Sequence, residues 1–233
     1  MVRCCRFRPC FTSSGAVVFD HDLHDGRGYW LFASDGGVFA FGDAQFFGST
    51  ANSSELGIVG MAATPDERGY WLVSNNGPEG PGHAAVYSFG DASYFGTPTS
   101  ALNKPVVGIA STPDGKGYWL VASDGGAFSF GDAPFYGSMG GQPLNKPVVG
   151  IETDQLRGGY WLVGSDGGVF GFNAPFCFSL ADIAGAPSQT PWTGIVGLIS
   201  AAPAACWLVS PNGASGVLPL ATLPTSAACW GKR

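Results

Sequence analysis

Charge is scarce in this chain. Asp, Glu, Lys and Arg together make up 12% of the 233 residues, and the net charge is −6. A protein that grips a nucleic-acid backbone needs a basic face. Here the Lys and Arg are scattered and outnumbered, 11 against 17 acidic residues, so no nucleic-acid partner is expected. No apolar run nears the roughly 18 residues of a membrane-spanning helix. The start, Met1-Val2-Arg3-Cys4-Cys5-Arg6-Phe7-Arg8, is basic without an apolar stretch behind it, so no secretory signal and no membrane span are expected. Histidine occurs three times, at His21, His24 and His83. The sequence has no Gly-x-Ser-x-Gly, no His-Glu-x-x-His, no phosphate loop and no dinucleotide fingerprint. The six Cys follow no zinc-ligand spacing. Cys177 and Cys206 stand where other copies of a recurring pattern carry aromatics, and both read as buried free thiols.

What is abundant is glycine, with 37 residues, and apolar residues, at 45%. That combination suits many short strands joined by tight turns. The run Gly28-Tyr29-Trp30-Leu31 returns as Gly69-Tyr70-Trp71-Leu72, Gly117-Tyr118-Trp119-Leu120 and Gly159-Tyr160-Trp161-Leu162, and in weaker form as Ala205-Cys206-Trp207-Leu208. Successive Trp lie 41, 48, 42 and 46 residues apart. Such a period matches four-stranded propeller blades. In the third copy, residues 106–111 read as strand A, 117–123 as strand B, 127–130 as strand C and 135–138 as strand D. The Gly125-Gly126 pair, and Gly36-Gly37, Asn76-Gly77, Gly167-Gly168 and Asn212-Gly213, fit a two-residue hairpin turn with positive φ at both positions. The strands are apolar throughout rather than alternating, as expected of strands buried on both faces.

These features lead to an expected all-β fold, a five-bladed β-propeller of four-stranded blades. It comprises residues 15–228, preceded by an N-terminal extension (1–14) and followed by a short tail (229–233). Residues 225–228 are expected to supply the last outer strand. Pro9-Cys10-Phe11-Thr12-Ser13 also resembles a strand D and competes for that place.

The stretch 117–138, with the linker Asn145-Lys146-Pro147-Val148-Val149-Gly150, resembles the Gly-Tyr-Trp-Leu repeats of actinobacterial proteins. In blade count the chain is similar to tachylectin-type five-bladed propellers, which are lectins. The first resemblance implies a module that often accompanies secreted or surface proteins. The second implies a glycan-binding role, by analogy of fold alone.

Residues that break the recurring pattern are the candidates for chemistry. Counting along strand A, one column reads His21, Ala62, Ala110, Glu152 and Ile199. If it lines a central channel, His21 and Glu152 converge there as acid and base. Asp20, Asp22 and Asp154 stand beside them and supply oxygen ligands for calcium. A calcium-dependent hydrolase of lactones or esters is then one expectation. The other is a propeller binding module for a small-molecule or glycan ligand, acting as a monomer. Its contacts would come from two insertions on exposed loops, carrying Glu79 with His83, and Trp192. The Asp sets Asp35/Asp124/Asp166 and Asp43/Asp91/Asp132 read as turn-forming residues.

Overall fold

The computed structural model describes residues 17–22, 26–51, 57–175, 197–201, 205–209 and 215–219. Fifteen strands form five antiparallel sheets of three consecutive strands each. The first sheet holds β1 (Val17–Asp22), β2 (Gly28–Ala33) and β3 (Val38–Gly42). The second holds β4 (Ile58–Ala63), β5 (Gly69–Gly77) and β6 (Gly80–Gly90). The third holds β7 (Val106–Ser111), β8 (Gly117–Ala122) and β9 (Ala127–Gly131). The fourth holds β10 (Val148–Thr153), β11 (Tyr160–Gly164) and β12 (Val169–Phe172). The fifth holds β13 (Gly197–Ala201), β14 (Ala205–Val209) and β15 (Ser215–Pro219).

Each recurring aromatic motif lies on the middle strand of its sheet. Successive residues of a strand face opposite ways, so Tyr and Trp of one motif serve two different interfaces. Trp30 meets Tyr70 with ring centroids 5.6 Å apart, Trp71 meets Tyr118 at 5.7 Å, and Trp119 meets Tyr160 at 5.2 Å. Tyr70, Trp71, Leu72 and Val73 of β5 are all fully buried, and so are the matching residues of β8. Burial on both faces explains why these strands are uniformly apolar.

The structure corrects the expected blade. Among the described residues each sheet has three strands, and in the first three copies the stretch read as strand D stands outside the ladder. Residues 45–50, 93–98 and 134–139 run extended into the gap between their own sheet and the next. Their backbone is held by side chains. In the first gap, Trp30 Nε1 donates to Gln45 O (2.7 Å), Tyr70 OH donates to Gly48 O (2.6 Å), and Phe47 N donates to the Tyr70 oxygen (3.3 Å). The second gap repeats this with Trp71, Ser93, Tyr118, Phe95 and Gly96. The third does so with Trp119, Pro134, Tyr160, Tyr136 and Gly137. A segment whose polar groups are satisfied this way has no need of a ladder.

The closed ring is also overturned. Among the described residues, no sheet closes on itself or shares a strand. First strands pack in the linear order β1, β4, β7, β10, β13, with no comparable packing of β13 against β1 among the described residues. The molecule is all-β, but it is not a closed five-bladed propeller of four-stranded blades.

The hairpins differ too. In the third sheet Gly125 N donates to Ala122 O and Ala122 N to Gly126 O, both at 2.8 Å. Gly125 has φ +80°, while Gly126 stays out of the positive region. This is a three-residue loop ending in a left-handed glycine, not a two-residue turn. The carboxylate of Asp124 accepts from Gly126 N at 3.0 Å, and Asp35 and Asp166 do the same at Gly37 and Gly168. That side-chain bond closes the loop and explains the Asp at these positions.

Candidate functional site

The register places His21 opposite Trp30, Ala62 opposite Trp71, Ala110 opposite Trp119, Glu152 opposite Trp161 and Ile199 opposite Trp207. Residues directly opposite in an antiparallel pair share a face. Ala62 and Ala110 are buried in the cores with Trp71 and Trp119. At Ala62 and Ala110 the column therefore looks into the packing between sheets. Glu152 is half-buried on that face. Asp20 pairs with Leu31 and Asp22 with Tyr29 on β1. β1 packs on β4, whereas β10 lies between β7 and β13, so the strands bearing His21 and Glu152 are not neighbours.

Asp154 is buried in the turn after β10. Its Oδ1 accepts from Leu156 N (3.0 Å) and Arg157 N (3.3 Å), and its Oδ2 lies 3.5 Å from Arg157 Nη1. Its neighbours thus use it as a turn-forming anion. Among the described residues, no three His, Cys, Asp or Glu gather as a metal site would require. The calcium-dependent hydrolase reading is overturned on that finding. Trp192 and Cys177 lie outside the described residues, and Cys206 is placed by its backbone alone, opposite Leu218.

Glu79 and His83 do come together, with Oε2 3.7 Å from Nε2, on the long hairpin of the second sheet. His83 Nδ1 is buried without a hydrogen-bond partner. The remaining acidic set is structural at one end. Thr64 Oγ1 donates to Asp91 Oδ1 (3.2 Å), and Thr112 Oγ1 to Asp114 Oδ1 (2.9 Å). The Thr112 hydroxyl holds the Asp114 carboxyl below its usual range. Burial, and then the charge of Asp114, push that of Asp132 up.

A different place stands out. An open groove of ≈560 Å³ is lined by Ser49, Thr50, Val86, Tyr87, Ser88, Phe89 and Tyr94. Four consecutive residues of β6 line it. Alternate side chains of a strand face opposite ways, so the groove follows the strand's free edge. Ser49 and Thr50 belong to one clasped segment and Tyr94 to the next, so the absent fourth strand leaves this opening. The lining carries hydroxyls and ring faces and no formal charge. The Ser88 hydroxyl is buried without a partner. The ring of Tyr94 is 60% exposed, and the equivalent Phe46 and Phe135 are exposed to 57% and 62%.

Sequence reasoning missed these rings by assigning them to strand D. The signal was present. Phe46-Phe47, Tyr94-Phe95 and Phe135-Tyr136 are adjacent aromatic pairs, and in an extended segment only one of each pair faces the core.

The sequence matches no protein family and no curated protein. Among solved structures the chain is similar to a structural genomics protein of unknown function from Bacteroides thetaiotaomicron VPI-5482. The identity is 14% and the TM-score 0.54, over 84% of this chain and 56% of the other. The likeness concerns the fold alone, and the chain spans little more than half of that protein. The expected membership in the Gly-Tyr-Trp-Leu repeat family, and the likeness to tachylectin propellers, are not upheld. Among the described residues, no helix is long and apolar enough to cross a membrane.

Proposed function

We propose that this protein is a non-catalytic binding module whose ligand is an uncharged, hydroxyl-rich molecule such as a sugar, held in the groove at the edge of β6. The observation that carries the reading is the exposed Tyr94 ring beside a charge-free lining of Ser49, Thr50, Tyr87 and Ser88. Aromatic faces stack on apolar ring surfaces, and hydroxyls exchange hydrogen bonds with ligand hydroxyls. The volume falls within the usual range of small-ligand sites. His83 lies on the same strand toward its hairpin end, and with Glu79 it is a second contact for a ligand that extends along the edge.

The test is titration calorimetry against a panel of neutral oligosaccharides. Tyr94→Ala should weaken binding about tenfold or more, the scale of a lost central aromatic contact. Phe39→Ala, on another sheet, should leave it unchanged. Equal affinities for Tyr94→Ala and the unmodified protein would overturn the site, and no binding across the panel would overturn the ligand class.

A further inference from the structure

The clasp described above is directional. Each extended segment lies over the Tyr and the third-strand Phe of the following sheet. Phe47 packs on Tyr70 (5.8 Å) and Phe95 on Tyr118 (5.6 Å), while Tyr136 packs on Tyr160 (6.2 Å). The next residue is Gly48, Gly96 or Gly137, with φ between +122° and +140°. An added Cβ there would meet the rings of Phe89, Phe130 and Phe172 at 2.5, 3.2 and 2.7 Å. The receiving face is thus a Tyr–Phe pair: Tyr70/Phe89, Tyr118/Phe130 and Tyr160/Phe172.

The first sheet has the same face, Tyr29 and Phe41, and no described segment lies on it. Phe41 is 42% exposed and Phe39 51%, while Phe89, Phe130 and Phe172 are half-buried. The Phe41 ring also sits differently. Phe41 stacks on Tyr29 at 16° with centroids 5.0 Å apart, whereas the covered pairs are tilted by 42°, 41° and 35°.

We propose that the Tyr29–Phe41 face is a docking surface for an extended segment, and that its occupant is residues 9–13 of this chain. Those residues lie outside the described residues. Their sequence, Pro9-Cys10-Phe11-Thr12-Ser13, carries the clasped pattern of Pro134-Phe135-Tyr136-Gly137-Ser138. Phe11 falls at the ring position that meets the Tyr, and Ser13 matches Ser138. Thr12 departs from the glycine of the other segments. Docking places the Phe11 ring on Tyr29 and makes the Tyr29 hydroxyl a donor to the backbone carbonyl of Thr12.

Two measurements on the full chain test this. The first is nuclear Overhauser contacts between the Phe11 and Tyr29 rings in the unmodified protein, which docking requires. The second is a double-mutant cycle of Phe11→Ala with Phe41→Ala, read from unfolding equilibrium constants. Coupling of about three- to tenfold is expected for an aromatic contact. Independent effects together with no ring contact would overturn the proposal. So would a ring contact that appears only between differently labelled copies, which would give the face to a second molecule.

Discussion

One hydroxyl group ties two sheets together at each of the first three seams. Tyr118 donates to Gly96 O at 2.7 Å and accepts from Phe95 N at 3.3 Å, so it satisfies two backbone groups of a segment that belongs to another sheet. Replacing it with Phe keeps the ring packing and orphans both. Tyr118→Phe should lower stability by about 1–3 kcal/mol, the cost of unmade buried hydrogen bonds, as read from urea unfolding. The pH dependence has a definite sign. Burial pushes the Tyr118 phenol up to about 12, against an ordinary value of about 10. The folded state therefore holds this proton more tightly than the unfolded chain. The stability it contributes is complete below about pH 10 and is lost as pH rises toward 12. The unfolding midpoint of Tyr118→Phe should accordingly fall less steeply across that window than that of the unmodified protein.

At the scale of elements, the extended segments are fixed by steric contact as well as by hydrogen bonds. Gly137 has φ +135°, and a Cβ would stand 2.7 Å from the Phe172 ring. Gly137→Ala should destabilise by about 1 kcal/mol or more, with the loss measured by thermal unfolding. Gly141→Ala, where the added Cβ meets nothing, should suffer only the strain of its φ of +79°. The contrast shows how far the elements were legible in the sequence. The first three strands of the third copy follow from apolar runs punctuated by a Thr-Pro-Asp and an Asp-Gly-Gly turn, and β7 lies where those signals put it. The fourth stretch has the same local look, Phe-Tyr-Gly-Ser, yet its partners are Trp and Tyr side chains. One of them is about 23 residues downstream in another sheet, which no local pattern displays. The calcium reading failed for a related reason. Counting put His21 and Glu152 in one column of the first strands, but strand position does not say which face is a channel. The buried Ala62 and Ala110 show that this face is packing. The groove was invisible because it exists only where the expected fourth strand is absent.

For the whole molecule, the described sheets follow one another in chain order, and the first three seams are each crossed by a segment pinned from both sides. Sequence neighbours are thus also mechanical neighbours. Stretched between its ends, the chain should not yield at once. A sheet's three strands can part only after the clasp that binds it to the next has been pulled open. Each such event frees one copy of the pattern, between 41 and 48 residues. At the reach of an extended chain that is roughly 140–165 Å of new length. Single-molecule stretching should show a sawtooth with that spacing, and a single rupture of the entire chain would contradict it. Tyr118→Phe should lower the force of one tooth and leave the length it releases unchanged. The first three seams, built from a phenol, an indole and a glycine, then determine the load this protein bears.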